Sequence, residues 1–310
     1  MRDTESNLPF VSSKDIPNKH TDIIWEIQWV QRENKAEALI SISGDGRIIE
    51  WSMKKGLEYS DLKQLKRETN PNQKDVYAGA INEQKAGCIN FINTGGLSID
   101  FPVNDSGNNY FVATEDCSVH KCSTSFSERY SNNYYGHMGP IYRIRCNPFW
   151  HPNDCPIFIT CSYDWTVRVW HEKESEPKLT CHQIGNLQQQ VNDICWSPNT
   201  SSVFASVAND GRIEIWDLKK DSLAPQFDDW DKTADGEKDH TPKTVVKFSK
   251  TSPVLLSGAI DGRVGVYRTY GLEHGPVSDE DQMNRLMSAI AKEDFSSSKA
   301  KENDEAAAAQ

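Results

Sequence analysis

The sequence predicts an all-β chain built from repeated antiparallel sheets, and three observations support this prediction. At several places an aspartate is followed six residues later by an aromatic residue. A short apolar strand precedes each of these aspartates, and a strand with alternating faces follows it. The last four aspartates are separated by 48, 46 and 51 residues, a spacing that indicates one repeated structural unit.

Four copies of the aspartate-to-aromatic spacing are clear, and one is weaker. The clear copies are Asp45 with Trp51, Asp164 with Trp170, Asp210 with Trp216 and Asp261 with Tyr267, and the weaker copy has Cys122 after Asp116. In three copies glycine follows the aspartate, and Asp-Gly is a strong hairpin signal because that turn needs a positive φ. The step from Asp45 to Asp116 is longer because residues 53–86 form an insertion.

Each copy is expected to contain two strands around the turn and a further strand upstream. The strands before the aspartates are ALISIS, YFVAT, IFITCS, VFASVA and VLLSGA. The upstream strands are IIWEIQWV, CINFIN, IYRIRCNP, VNDICWSP and KTVVKFSK. Antiparallel strands repeated at about 45 residues are typical of the blades of a β-propeller, so the predicted fold class is an all-β propeller.

The repeat also explains its polar residues. We expect a buried network in which His137 pairs with Asp164 and reaches the indole N–H of Trp170 through the hydroxyl of Thr160. His20 and His240 stand at comparable positions before their own blades. Because the aspartates recur with the repeat, a structural role is favoured over a role as catalytic carboxylates.

Composition excludes several classes of function. The net charge of −11 argues against binding to nucleic acid or to an anionic membrane, because both need a cationic face. No apolar run approaches the length of a membrane span, and the first residues do not resemble a signal peptide. No nucleotide, metalloprotease or hydrolase motif occurs, so neither catalysis nor a cofactor is expected. Cys117, His120 and Cys122 could suggest a metal, but burial of free thiols is favoured.

The chain is expected to have three regions: a polar segment at 1–19, blades at 20–270, and a helix with an acidic tail at 271–310. Five blades predict a partial seven-bladed ring that lacks its first blades, with a closed five-bladed ring as the alternative. Residues 218–241 are expected to form a solvated loop. In the last region Met283, Leu286, Met287 and Ile290 share one helical face, and Ser278 is a candidate N-cap. Packing of this helix on the chain's own surface is favoured over docking to a partner.

Specific phrases connect these repeats to a known family. The Gly136-His137 and Trp216-Asp217 dipeptides, with the repeat itself, resemble the WD-repeat family over residues 20–270. KHTDIIWEIQWV, CSYDWTVRVW and VNDICWSPNTSSVFASVANDGRIEIWDL further resemble the propellers of axonemal dynein intermediate chains. Among these, the similarity is greatest to the chains of the two-headed inner-arm dynein.

The resemblance implies a scaffold that is not an enzyme. In that family the propeller binds the tail of a dynein heavy chain, and a long N-terminal region gathers light chains and pairs with a second intermediate chain. The light-chain-binding region is absent from this sequence. The implied location is the ciliary axoneme, after preassembly in the cytoplasm. The alternative is a generic WD-repeat interaction module, such as a substrate receptor of a ubiquitin ligase.

Four aromatic residues are the candidate contacts with a partner: Trp25, Tyr142, Tyr163 and Trp165. Loops on a propeller carry function more often than strands do, and exposed aromatic residues make good anchors. Trp165 directly follows the turn aspartate, at the position where three other copies have glycine. The alternative is that Trp25 and Tyr142 pack between blades.

Overall fold

The computed structural model describes residues 12–14, 16–31, 37–52, 57–68, 93–103, 105, 107–149, 156–182, 189–232, 236–272 and 278–291. Within these residues the chain forms nineteen strands in five antiparallel sheets and one helix. It divides into two compact units. The first unit holds two sheets, and the second holds three sheets and the helix.

The first unit contains two four-stranded sheets in which each strand pairs with the next along the chain. The first sheet consists of β1 (Ile24–Val30), β2 (Ala38–Ser43), β3 (Arg47–Ser52) and β4 (Glu58–Gln64). The second sheet consists of β5 (Gly96–Asp100), β6 (Asn109–Thr114), β7 (Ser118–Ser123) and β8 (Asn132–Tyr135).

The second unit contains two sheets of four strands and one of three. The third sheet consists of β9 (Ile141–Cys146), β10 (Ile157–Ser162), β11 (Thr166–His171) and β12 (Leu179–His182). The fourth consists of β13 (Val191–Trp196), β14 (Val203–Ala208), β15 (Arg212–Asp217) and β16 (Phe227–Trp230). The fifth consists of β17 (Lys243–Phe248), β18 (Val254–Ala259) and β19 (Val264–Arg268).

The predicted all-β class is confirmed, whereas one local prediction lies almost entirely outside the described residues and another is wrong. The sequence placed a strand at 88–93; residues 88–92 lie outside the described residues, and the first strand of the second sheet is β5. Residues 218–241 do not form only a loop, because they contain β16. The last strands of the first four sheets were not predicted, since β4, β8, β12 and β16 are short or polar and lack a long apolar face.

Aromatic pairs organise the cores of the third and fourth sheets in the same way. Phe158 lies opposite Trp170 across β10 and β11, with ring centroids 6.1 Å apart and planes at 9°. Phe204 and Trp216 repeat this stack across β14 and β15 at 6.0 Å and 6°. All four side chains are buried. Such pairs combine large apolar burial with a favourable ring contact, so they favour one strand register.

Within each unit, successive sheets pack through the first strand of the following sheet. β5 contacts β1 and β2, and β17 contacts β13 and β14. A bulge near the start of each of these first strands removes one backbone N–H from the ladder. A carboxylate of the preceding sheet accepts a different N–H, that of the residue two positions beyond the bulge. Glu26 binds the N–H of Ile99 at 3.1 Å, and Asp193 binds that of Val246 at 2.9 Å.

The helix α1, residues 279–291, packs on the sheets of its own unit. Ser278 accepts a hydrogen bond from the backbone N–H of Asp281 at 3.2 Å, which is a helix N-cap. Leu286 and Ile290 are buried in the core that the third and fourth sheets share. Arg285 Nε donates to Ser202 Oγ at 3.0 Å, so polar contacts add to the apolar ones.

Candidate interaction site

The third sheet contains a continuous chain of hydrogen bonds from a buried indole to a turn aspartate. Trp170 Nε1 donates to Thr160 Oγ1 at 2.8 Å, and Thr160 Oγ1 lies 2.7 Å from His137 Nε2. His137 Nδ1 lies 2.8 Å from Asp164 Oδ2. The Thr160 hydroxyl therefore donates to His137 Nε2, and the N–H at His137 Nδ1 donates to Asp164. Each of these polar groups thus has a partner.

The pKa directions fit a structural pair. Burial lowers the pKa of His137, which favours the neutral imidazole. Burial acts to raise the pKa of Asp164, but hydrogen bonds from His137, from the Thr166 hydroxyl and from the Met138 N–H outweigh it. The pKa of Asp164 therefore lies well below its usual range. Near neutral pH the pair is a carboxylate and a neutral imidazole, which holds the turn to the strand before it.

The first sheet carries the same network with serine in place of threonine. Trp51 Nε1 donates to Ser41 Oγ at 2.8 Å, and Ser41 Oγ lies 2.7 Å from His20 Nε2. His20 Nδ1 lies 3.2 Å from Asp45 Oδ2. Burial acts to raise the pKa of Asp45, but hydrogen bonds from two backbone N–H groups and from His20 outweigh it and lower the pKa.

In the fourth sheet an arginine and a glutamate take the place of histidine. The Arg212 guanidinium lies 2.9 Å from Asp210 Oδ2 and 3.5 Å from Glu214 Oε1. Trp216 Nε1 donates to Glu214 Oε2 at 3.2 Å, and Ser206 donates to the same oxygen at 3.0 Å. Arg212 and Glu214 were not predicted from the sequence. They could have been recognised as a pair of charged residues two positions apart on β15, because residues two apart share one face of a strand.

The structure does not bring His240 to Asp261, so this part of the predicted network is corrected. His240 Nδ1 lies 3.3 Å from the backbone oxygen of Asp210, and its ring packs edge-on against Trp230. Asp261 instead accepts the N–H of Arg263 at 3.0 Å and pairs with its guanidinium. Because Arg263 already pairs with Asp261, the carboxylate of this turn does not need a histidine as its partner.

Two further network residues also have partners that the sequence did not predict. Asp116 pairs with Arg67 at 2.5 Å. The Tyr267 hydroxyl lies 3.3 Å from Ser257 Oγ and donates to Asp231. These two copies keep the six-residue spacing of the repeat, but other side chains pair with their polar groups.

The candidate metal group around Cys117 lacks the chemistry of a metal site. Cys122 is fully buried, and burial raises the pKa of its thiol to about 12, so the thiol keeps its proton. His120 Nδ1 lies 2.7 Å from Asn133 Oδ1, and its Nε2 lies 3.0 Å from Ser118 Oγ. Across the described part of the chain, no three His, Cys, Asp or Glu side chains are grouped to hold a metal ion.

Lowering the pH from 7 to 4 is expected to destabilise the first unit through His120. Burial lowers the pKa of His120 from 6.5 to about 4. The unfolded chain therefore binds this proton first, and stability is lost as the pH falls from 6.5 to about 4. The gap corresponds to about 3 kcal/mol in the free energy of unfolding. Urea titrations at several pH values should show this loss of stability. In His120→Gln most of the pH dependence should be absent. An equal pH dependence in that variant would contradict the assignment of the loss to His120.

Three apolar side chains lie exposed beside the turn of the third sheet, and we call them the turn patch: Met138, Tyr163 and Trp165. Their exposed fractions are 89%, 53% and 42%. Two hydrogen bonds join the segments that carry them: Met138 N donates to Asp164 Oδ2 at 2.9 Å, and Tyr163 N donates to Pro140 O at 3.0 Å. Tyr163 and Trp165 were predicted from the sequence as contact residues, but Met138, which directly follows the network residue His137, was not.

The other two aromatic candidates lie elsewhere. Trp25 belongs to β1 in the first unit and is 49% exposed. Tyr142 belongs to β9, packs against the core of the second unit and donates to Gln190 Oε1 at 3.3 Å. The structure therefore groups Tyr163 with Trp165 and leaves Tyr142 partly buried.

Trp165→Gly is expected to raise the free energy of unfolding of the second unit by about 1 kcal/mol. Trp165 has φ 69°, in the left-handed region where side chains other than glycine are strained, and Gly46, Gly211 and Gly262 occupy the same position of their turns. Urea unfolding of the variant measures the gain. The matched change Cys117→Gly, at φ 64°, should also raise the free energy of unfolding. A lower free energy of unfolding in both variants would contradict the claim that these two backbone positions are strained.

Comparisons with known proteins define the class. The family described as WD domain, G-beta repeat matches residues 128–171 and 175–217. These two stretches contain β8–β12 and the first three strands of the fourth sheet, β13–β15. The second match also covers the Asp210 turn and Trp216. Together with five antiparallel sheets of three or four strands, these matches make the chain a WD40-repeat protein of the β-propeller class.

More particularly, the chain is a homologue of the axonemal dynein intermediate chains. It is 36% identical to dynein axonemal intermediate chain 4 of Homo sapiens over 85% of its own length and 30% of that protein. For the protein of that name in Danio rerio the identity is 31%, over 92% of this chain and 33% of the relative. Dynein intermediate chain 2, ciliary, of Heliocidaris crassispina is 29% identical over 93% of this chain and 40% of its own length. The chain thus spans about a third of the length of these relatives.

The fold is also found in a solved structure. The crystal structure of the computationally designed Ika8 protein matches with a TM-score of 0.51 and 18% identity, covering 81% of this chain and 60% of that one. At this identity the likeness concerns the fold alone. Among the described residues, no helix has the length and apolar character needed to cross a membrane.

Proposed function

We propose that this chain is a non-catalytic scaffold subunit of an axonemal dynein, and that its WD40 sheets bind the tail of a dynein heavy chain. The observation that carries the proposal is homology to axonemal intermediate chains over 85% of the chain. The buried Asp–His pairs support it, because they hold turns in place and have no free reactive group.

The turn patch is the proposed contact with the heavy chain. Its segments are fixed by hydrogen bonds from Met138 N and Tyr163 N, so little conformational freedom is lost on binding. Rigid, exposed aromatic side chains are the residues that most often supply binding energy at an interface. Trp165 keeps a strained backbone where glycine would relieve it, and such strain occurs where the side chain has a role.

The remaining parts of the proposal follow from the relatives. A second dynein intermediate chain is the proposed partner beside the heavy chain, with light chains as further members of the proposed complex. The proposed location is the ciliary axoneme, after preassembly in the cytoplasm. Trp25 and Tyr142 remain secondary candidates for the heavy-chain contact, since they lie outside the turn patch.

The test is a pull-down of the tagged chain from the cytoplasm of ciliated cells and from salt extracts of axonemes, with mass spectrometry. A dynein heavy chain and a second intermediate chain are expected. The double change Tyr163→Ala with Trp165→Gly should lower heavy-chain recovery at least about tenfold, since each aromatic anchor contributes about 1–2 kcal/mol. Tyr270→Ala is the matched control, because Tyr270 is 77% exposed in the same unit but outside the turn patch.

Two results would contradict the proposal. Unchanged heavy-chain recovery by the folded double variant would remove the turn patch as the contact. Recovery of ubiquitin-ligase subunits without any dynein chain would favour the alternative, a WD40 substrate receptor.

A further inference from the structure

A pocket of about 520 Å³ opens in the first unit between its two sheets. One wall consists of β4 and the residues that follow it, and the other is the segment 127–129, which precedes β8. Two hydrogen bonds hold the walls together. Lys63 Nζ donates to the backbone oxygen of Arg129 at 2.7 Å, and the Tyr130 hydroxyl accepts the backbone N–H of Lys66 at 2.7 Å. The shape of the pocket is therefore fixed by the chain itself.

Lys63 brings a buried ammonium group to this pocket. Its exposed fraction is 4%, and no carboxylate of the described residues forms an ion pair with it. The ammonium lies 4.6 Å from the centre of the Tyr130 ring. Burial lowers the pKa of Lys63, and Glu68 counters this effect only in part. Because lysine is almost never buried unless it is paired, this position favours a ligand that carries negative charge.

Two further cations line the same pocket. Lys66 and Arg129 are both exposed, and neither side chain pairs with a carboxylate in the part of the chain that the structure describes. Two acids also line it, but Asp61 already pairs with Arg47 at 2.5 Å, which leaves Glu128. Among its described lining residues the pocket thus has three cations against one remaining carboxylate, in a chain whose net charge is −11.

We propose that this pocket binds the phosphate group of a phosphorylated serine or threonine on a partner protein. Such a phosphate carries close to two negative charges near neutral pH and has three strong acceptor oxygens. It can therefore contact Lys63 and both exposed cations at once, whereas a carboxylate has a single charge and two oxygens. The guanidinium of Arg129 suits this ligand, because its planar N–H groups bind phosphate through two parallel hydrogen bonds.

The charge distribution favours one phosphorylated side chain over a larger polyanion. Nucleic acids and anionic membranes need an extended cationic face, and this chain is acidic as a whole. A volume of about 520 Å³ is within the range of sites that hold one small ligand. The pocket belongs to the first unit and the turn patch to the second, so this site is independent of the proposed heavy-chain contact.

The test titrates the purified 310-residue chain with N-acetyl-O-phosphoserine amide by isothermal titration calorimetry at constant ionic strength. Saturable binding is expected, and the same compound without its phosphate should not bind. Lys63→Met keeps the buried stem but removes the charge, and should weaken binding at least about tenfold, as expected for a hydrogen bond to a charged group. Lys19→Met is the matched control and should bind like the unmodified chain, because Lys19 is exposed in the same unit but outside the pocket.

Two milder variants keep the test decisive if Lys63→Met fails to fold. Lys66→Gln and Arg129→Gln change exposed side chains, and each should weaken binding about two- to fivefold. Inorganic phosphate is titrated in a second arm and should bind to the same pocket. Binding of inorganic phosphate without binding of the phosphoserine compound would overturn the assignment to a phosphorylated side chain. Equal binding by the unmodified chain and all three pocket variants, or no saturable binding at all, would overturn the site.

Discussion

Arg212→Ala is expected to lower the free energy of unfolding of the second unit by about 3–5 kcal/mol. The Arg212 side chain is 2% exposed and lies between the carboxylates of Asp210 and Glu214. Its guanidinium also lies 5.3 Å from the ring centroid of Trp230. Removal would leave two buried carboxylates without the cation that pairs with both, and this is far more unfavourable than the loss of a surface ion pair.

The loss of stability can be measured by urea unfolding followed by tryptophan fluorescence. Hydrogen exchange then shows which part of the chain is destabilised. Arg268→Ala is the matched control, because Arg268 is exposed on β19, and it should change stability by less than about 0.5 kcal/mol. Burial already raises the pKa of Glu214, so the penalty in the Arg212 variant should shrink as the pH falls and the Glu214 carboxyl takes up a proton. Similar losses for both arginines would refute the central role of Arg212.

Trp170→Ala is expected to lower the stability of the same unit by about 3–5 kcal/mol. Trp170 is 1% exposed, stacks on Phe158 and donates to Thr160 at 2.8 Å. The change opens a cavity and also removes the donor at the end of the network. The thermal midpoint and the urea unfolding curve should both record the loss.

Trp170→Phe separates the two contributions. Phenylalanine keeps an aromatic ring against Phe158 but has no N–H, so Thr160 loses a partner, and a loss of about 1–3 kcal/mol is expected. If this variant were as unstable as Trp170→Ala, the hydrogen bond rather than packing would dominate. His137 and Asp164 should remain paired in both variants, because their own contact does not involve the indole.

The sequence was sufficient for the repeat because its signals are local. The aspartate turn, the apolar strand before it and the alternating strand after it all lie within about a dozen residues, and the structure places strands there in all five copies. The network of the third sheet was predicted residue by residue, since glycine, histidine and threonine stand at fixed places around Asp164. Trp165 stands out in the sequence for the same reason, because it replaces a glycine in a fixed turn.

The rest depended on contacts that a linear pattern does not contain. β16 has the sequence FDDW, which is polar enough to suggest a loop, and it becomes a strand because β15 offers it a partner. His240 precedes the turn of its sheet as His137 precedes Asp164, yet Arg263 already pairs with the Asp261 carboxylate. Met138 was missed because its exposure depends on how its segment crosses the turn at Tyr163.

Each unit also contains a thiol that no reagent reaches while the unit is closed. Cys122 lies on β7 in the first unit and Cys161 on β10 in the second, and both side chains are fully buried. Burial raises the pKa of both thiols, so the reactive thiolate is scarce as well as shielded. Alkylation at these two positions must wait for the surrounding sheet to open. Peptide-resolved labelling of the two cysteines would therefore time the opening of each unit separately in one unmodified molecule.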